Sequence, residues 1–256
     1  MSSVIFSNEE IIISILYLIN FSFALFWGLT IFKKAYKTKS KMLYEFGAVI
    51  IFMGITYHTV AINFINWLIL GQIISTELIV TICIVGLPIV LLSWMDIYLT
   101  TVHYKKPLMN KTIFIILSII SSLLIVIILY LTYLAPESQE ILYIGARIDN
   151  VNFSSVGIFL WYQLFVLFIS LLVAVHFSLI SIKRSELEET KWKGVMIIIA
   201  VIFLIIGSMG VIILKLIWPE FMILLIFRIL MVISTFFFYL GFSMPEFLKK
   251  FLKITN

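Results

Sequence analysis

Charge is scarce in this chain. Only 12% of its 256 residues are Asp, Glu, Lys or Arg, while 63% are hydrophobic and mean hydropathy is +1.19. A soluble domain of this length cannot hide so much apolar surface, because water-facing helices need a polar face. The composition therefore excludes an ordinary soluble fold and points to a bilayer as the main solvent. Cysteine is nearly absent: Cys83 is alone, inside an apolar run, so no internal disulfide can form. Proline is rare, and of five only Pro88 falls deep within an apolar run. Three histidines, one cysteine and one deep aspartate make a poor metal set. The H-E-x-x-H, paired intramembrane aspartate and G-x-S-x-G patterns are all missing. No catalytic residue, metal or cofactor is expected, and the chain is not expected to be an enzyme. The opening "MSSVIFSNEE" has no basic segment and carries Glu9 and Glu10 just before the first apolar run, so a cleavable signal peptide is not expected either.

What the sequence does have is seven apolar runs, each long enough for the roughly 20 helical residues that cross a bilayer. Their cores are 11–32, 44–66, 78–100, 112–134, 157–181, 195–217 and 221–243. Unpaired backbone cannot face lipid, so each run is predicted as a helix, giving an all-α membrane domain over 1–243 and a tail over 244–256. Net charge is +5, but the basic residues sit in patches between the runs, a pattern that encodes topology and not nucleic-acid binding. The patches are Lys33–Lys41, Lys105–Lys111, Lys183–Lys193 and Lys249–Lys253, and they hold fifteen of the 18 basic residues. All four fall on one side of the membrane, which predicts a multi-pass protein of the cell membrane with its amino terminus outside and carboxyl terminus inside. The longest outer loop, 135–155, shows no clear periodicity and contains the triplet Asn152-Phe153-Ser154, a glycosylation pattern. The inner link "IKRSELEETKWKG" alternates charge sign and is expected to extend the fifth span into water. "GAVIIF" and "GVMIII" open the second and sixth spans after similar basic loops, which makes a three-plus-one-plus-three duplication conceivable.

Hydrocarbon penalises polar groups, so the depth of each one is informative. At about 1.5 Å per residue, Asn20, His58, Gln163, Ser208 and Arg228 come out about 9 to 13 Å below the outer boundary, on five different spans. Arg228 is the strongest signal, because a guanidinium stays charged and at that depth needs a partner. Glu220, Glu77, Asp149 or a ligand could fill that role. One reading is an outward-opening site in which Arg228 holds an anionic or polar group while His58, Gln163, Asn20 and Ser208 add hydrogen bonds. The other is internal pairing and ordinary interhelical bonding. At the inner end Asp96 and His176 lie at equal depth on the third and fifth spans, so they could form a protonation-sensitive latch, with Pro88 as a hinge. Headgroup-level polar residues and a simple packing kink are the plainer alternatives.

The chain closes with "YLGFSMPEFLKKFLKITN". Ser243 and Glu246 have the spacing of an N-cap and its N3 partner, and Phe247, Leu248, Phe251 and Leu252 alternate with three lysines. This predicts a short amphipathic helix lying on the anionic lipid surface. Tyr239–Lys250, with aromatic-Gly-Phe, then Pro, an acid, an aromatic and two lysines, resembles the exit from the seven-helix sensor modules that precede histidine kinases in prokaryotes. That resemblance implies a receptor-like protein that binds a small ligand or lipid and signals through a cytoplasmic partner. It departs from the pattern in one way, since no output domain is expected after the closing helix. The alternatives are a small transporter and an assembly subunit that binds nothing.

Overall fold

The computed structural model describes residues 7–103, 105–134, 146–149, 152–155, 157–217, 221–252 and 254. In chain order its elements are α1 (Asn8–Thr38), α2 (Lys41–Tyr57), α3 (Thr59–Leu70), α4 (Thr76–Val102), α5 (Pro107–Leu134), β1 (Ala146–Asp149), β2 (Asn152–Ser155), α6 (Gly157–Arg184), α7 (Glu188–Ile217), α8 (Phe221–Ser243) and α9 (Glu246–Phe251). Among the described residues, six helices (α1 and α4 to α8) are long and apolar enough to cross a membrane, and α2 with α3 makes a seventh if the two count as one broken span. The expected uninterrupted helix over 44–66 is thus corrected: it breaks at His58 and bends by 63°.

The connections are tighter than the lysine patches suggested. α1 runs on through the first patch to Thr38, because Lys and Ala favour helix. Lys39 then adopts a left-handed conformation and Ser40 caps α2 by accepting from the Leu43 N–H. The link after α6 is only three residues, 185–187, so much of the charged "SELEETKWKG" segment opens α7 and does not extend α6. Between α5 and α6, β1 and β2 form an antiparallel hairpin, Ala146 opposite Ser155 and Asp149 opposite Asn152. Four-residue strands are too short to leave a periodic signature.

The chain divides into two compact units, Met1–Ser170 and Leu171–Asn256. In the first, α1 and α2 pack along a seam of small residues. A side chain on Gly54 would meet Ala24 Cβ at 2.6 Å, and one on Gly28 would strike Ile51. Small residues drive such contacts because lipid supplies no hydrophobic force between helices. α2 also lies along α4, where Phe46 meets Trp94 edge-on at 5.5 Å and Gly86 receives Thr56. α4 is the core helix of this unit and runs unbroken through Pro88, with Cys83, Ile84, Leu87, Val90 and Leu91 fully buried. α5 is peripheral: in the membrane its Ile, Leu and Val side chains meet lipid, and only Ser121 and Ile128 are buried. The Asn110 amide donates to Leu99 and His103 carbonyls and so closes the end of α4.

In the second unit α7 and α8 pack closely through Gly207 and Gly241, and the Ser234 hydroxyl donates to the Ala200 carbonyl across the seam at 2.8 Å. Met196, Leu240, Met244 and Leu248 form its buried cluster. The expected capping box at Ser243 is corrected. Ser243 ends α8 and its hydroxyl bonds back to Tyr239, while Pro245 precedes α9 with no side-chain cap. The expected apolar face is also split. Leu248 is buried against the cluster at 8% exposure, while Phe247 and Phe251 point away at 61% and 81%. Lys249 fixes this rotation by pairing with Glu189 on α7 at 2.9 Å.

Candidate functional site at the broken span

The break in the second span is the densest meeting of polar groups in the first unit. Its residues are Gly54-Ile55-Thr56-Tyr57-His58-Thr59. β-branched and aromatic side chains here weaken helix without forbidding it. The interruption is held from outside. Asn20 of α1, 3% exposed, places Nδ2 at 3.0 Å from His58 Nε2. The two atoms are in hydrogen-bond range, and which of them donates follows the tautomer of the ring. Tyr17, one turn before Asn20, meets the same ring edge-on at 5.6 Å. From α4 the buried Cys83 thiol donates to the Thr56 carbonyl at 3.5 Å. The backbone re-forms beyond His58 with a tight bond from the Ala61 N–H to the His58 carbonyl, 2.8 Å. In lipid an irregular backbone persists only where protein or a polar cavity satisfies it.

The bend also redistributes the walls. α2 packs on both α1 and α4, whereas α3 packs chiefly on α1 through Tyr17, Val60, Ala61 and Phe64. The hairpin stands over the divergence, β1 beside α4 and β2 beside α3. Two asparagines of α3 serve the connection that follows it: Asn63 accepts from the Ile74 N–H at 2.8 Å and Asn66 donates to the Gln72 carbonyl at 2.7 Å.

Hydroxyl behaviour marks the region further. Thr30, Thr81, Thr132, Ser178 and Ser208 bond the carbonyl one turn back, as hydroxyls in membrane helices usually do. Ser14 does not. It is fully buried on the same α1 stripe as Tyr17 and Asn20, with no hydrogen-bond partner among the described residues. Thr56 is also unbonded, but its hydroxyl fills the notch at Gly86. The Tyr162 hydroxyl of α6 lies beside Ser121 of α5 without closing a bond.

Of the five residues predicted near one level, the structure brings Asn20 and His58 together. Gln163 is buried on α6 in the same unit. Ser208 and Arg228 belong to the second unit: Ser208 bonds its own helix, and Arg228, half-buried, places Nη1 at 3.3 Å from Met231 Sδ. The suggested partners Glu220 and, in its side chain, Asp149 fall outside the described residues.

The predicted latch residues fall differently. Asp96 accepts from Lys41 Nζ at 2.6 Å, and its carboxyl group lies in hydrogen-bond range of Glu45, which Lys41 also reaches at 3.2 Å. The two acids are 24% and 17% exposed against 77% for Lys41, so the lysine is the mobile member. His176 is exposed and belongs to the second unit. This clasp between α2 and α4 was missed in the sequence. Its one trace is an acid, Glu45, a turn after Lys41 at the start of an apolar run. Among the described residues, no cluster of three His, Cys, Asp or Glu could hold a metal.

The fold defines a multi-pass membrane protein with a polar break inside one span. No protein family, curated protein or solved structure matches the chain.

Proposed function

We propose that this chain is a receptor-like protein of the cell membrane, amino end outside, that binds a small ligand at the His58 break and reports it to a partner at its lysine-rich face. The carrying observation is the buried Asn20–His58 bond at an interruption that contains no proline. A polar site kept inside hydrocarbon costs stability, and such sites in membrane proteins are as a rule functional. α2 and α4 give the signal a route. Both run from the break, at Thr56 and Cys83, to the Lys41–Glu45–Asp96 clasp, a span of about 20 Å. A shift of either helix at the break moves one side of the clasp against the other. The basic patches supply the orientation.

A second reading, transport, draws on the bend itself, since interrupted spans line substrate paths in many transporters. Both readings meet one experiment. Purified protein is screened for ligand-induced thermal stabilisation, with Asn20→Leu and His58→Leu as site variants and Thr235→Val, in the other unit, as a control. The hits should act on the parent and the control and fail on folded site variants. Site variants that fold and respond like the parent remove the break from the account. A hit that accumulates inside sealed vesicles bearing the protein makes it a transporter, and one that binds without crossing makes it a receptor.

A further inference from the structure

The Lys41–Glu45–Asp96 clasp joins two acids to one base. Lys41 and Glu45 both belong to α2, so their 3.2 Å pair joins no helices. Two links cross to α4. The Lys41 ammonium donates to Asp96 at 2.6 Å, and the Glu45 carboxyl group lies in hydrogen-bond range of the same acid. Ionised carboxylates only accept, so a bond between two of them needs a proton. With that proton in place, one negative charge faces one ammonium and both links attract. Without it the Glu45–Asp96 link is repulsive, and Lys41 alone holds the helices against it. Gain of the proton thus favours the closed clasp, and the closed clasp holds the proton more tightly.

The surroundings suit such a role. Behind the acids Phe46 and Trp94 meet edge-on, both buried, so apolar packing limits hydration on that side. In front, Lys41 is exposed, and protons reach the clasp from water. Other charged and titratable groups stand at this end. The close of α1 carries Lys33, Lys34, Lys37 and Lys39, all exposed. α4 carries Tyr98 and, at its cap, His103, whose rings meet edge-on at 5.5 Å. Lys105, Lys106 and Lys111 follow toward and into α5, and are exposed. We propose that the clasp is a proton-operated lock: a proton shared by Glu45 and Asp96 closes α2 on α4, and its loss loosens them. The lysine-rich face then responds to the pH of its own compartment, whether or not a ligand occupies the break.

Spin labels at Tyr44→Cys and Tyr98→Cys, in the full chain in nanodiscs, read the gap between α2 and α4. The distance distribution should be narrow at about pH 5 and broaden by about pH 9. Stronger acid would neutralise Asp96 as well and remove its Lys41 pair, so the range starts there. Glu45→Gln supplies a hydrogen at every pH and should stay narrow throughout. Asp96→Asn loses the Lys41 pair and should stay broad throughout. Histidine ordinarily titrates within this range, so His103→Gln must leave the transition in place. In the unlabelled parent a protonated-carboxyl infrared band should fade over the same pH range, and Glu45→Gln should lack it. A parent distribution that ignores pH, a transition that survives Glu45→Gln or vanishes with His103→Gln, or a parent without the fading band overturns the lock. None of these outcomes touches the break, so the binding reading is tested separately.

Discussion

The two compact units solve the same packing problem with different chemistry. In Leu171–Asn256 the α7–α8 seam is apolar, closed by glycines at 207 and 241, with one buried hydroxyl, Ser234, spent on a carbonyl of the facing helix. In Met1–Ser170 the α1–α2 seam begins in the same way, with Gly28, Gly47 and Gly54, and then turns polar at Asn20 and His58 where the helix breaks. Glycine contacts, apolar packing and one interhelical hydroxyl bond therefore suffice to join two long helices in this protein. The polar break is an addition that packing does not require, which is why we place the ligand there.

Substitutions can test that contrast. The largest effects belong to the shared seam chemistry. Gly54→Leu drives a side chain into Ala24, and Gly207→Leu drives one into Met231. Each should cost about 1–3 kcal/mol or more in a denaturant titration of purified protein, with no difference between the units. The next effect separates them. Asn20→Leu strands a buried imidazole nitrogen and should cost about 1–2 kcal/mol, together with complete loss of ligand-induced stabilisation. Ser234→Ala, in the other unit, should cost about 0.5–1 kcal/mol and leave the ligand response unchanged. A ligand response abolished by Ser234→Ala would erase the distinction between the units.

Smaller effects are expected at the lysine-rich ends. Asp96→Asn weakens a partly exposed pair and should cost under about 1 kcal/mol, while loosening α2 from α4. Spin labels at Tyr44 and Tyr98 would show this as a broader distance distribution, and an unchanged one would deny the clasp a role. The smallest effect is at α9. The Glu189 carboxylate holds the Lys249 ammonium above the ordinary lysine range. A raised value of this kind stabilises the fold fully below the ordinary lysine pKa of 10.5 and is lost only as pH climbs beyond it. The docking of α9, followed by fluorescence of a dye at Phe251→Cys, should stay flat through neutral pH and change under strongly alkaline conditions, where Lys249 loses its proton, and under strongly acidic ones, where Glu189 gains one. A transition near neutrality would assign the docking to another group.

The spans were legible because apolar run length is set by bilayer thickness. Among the described residues, six helices long and apolar enough to cross fall on six of the predicted runs, and α2 with α3, a seventh span if the two count as one, fall on the remaining run. The break was not legible, because nothing in "GITYHTVAIN" forbids helix. It is made by Asn20, 38 residues upstream, and Cys83, 27 residues downstream of Thr56. Polar depth did pick out Asn20 and His58, since antiparallel neighbours at equal depth tend to meet. The same reasoning overlooked Lys41 and Glu45, because depth ranks residues without saying which helices adjoin. The end of α8 misled for a local reason, since the Ser243 hydroxyl prefers the carbonyl one turn back to a cap ahead of it.

The most direct measurement is the ring nitrogen spectrum of His58 in the membrane-embedded protein. The account predicts a hydrogen-bonded Nε2 and a clear change in its signal when Asn20 becomes leucine. A signal indifferent to that substitution would mean that α1 does not hold the interruption, and the site built on it would be gone.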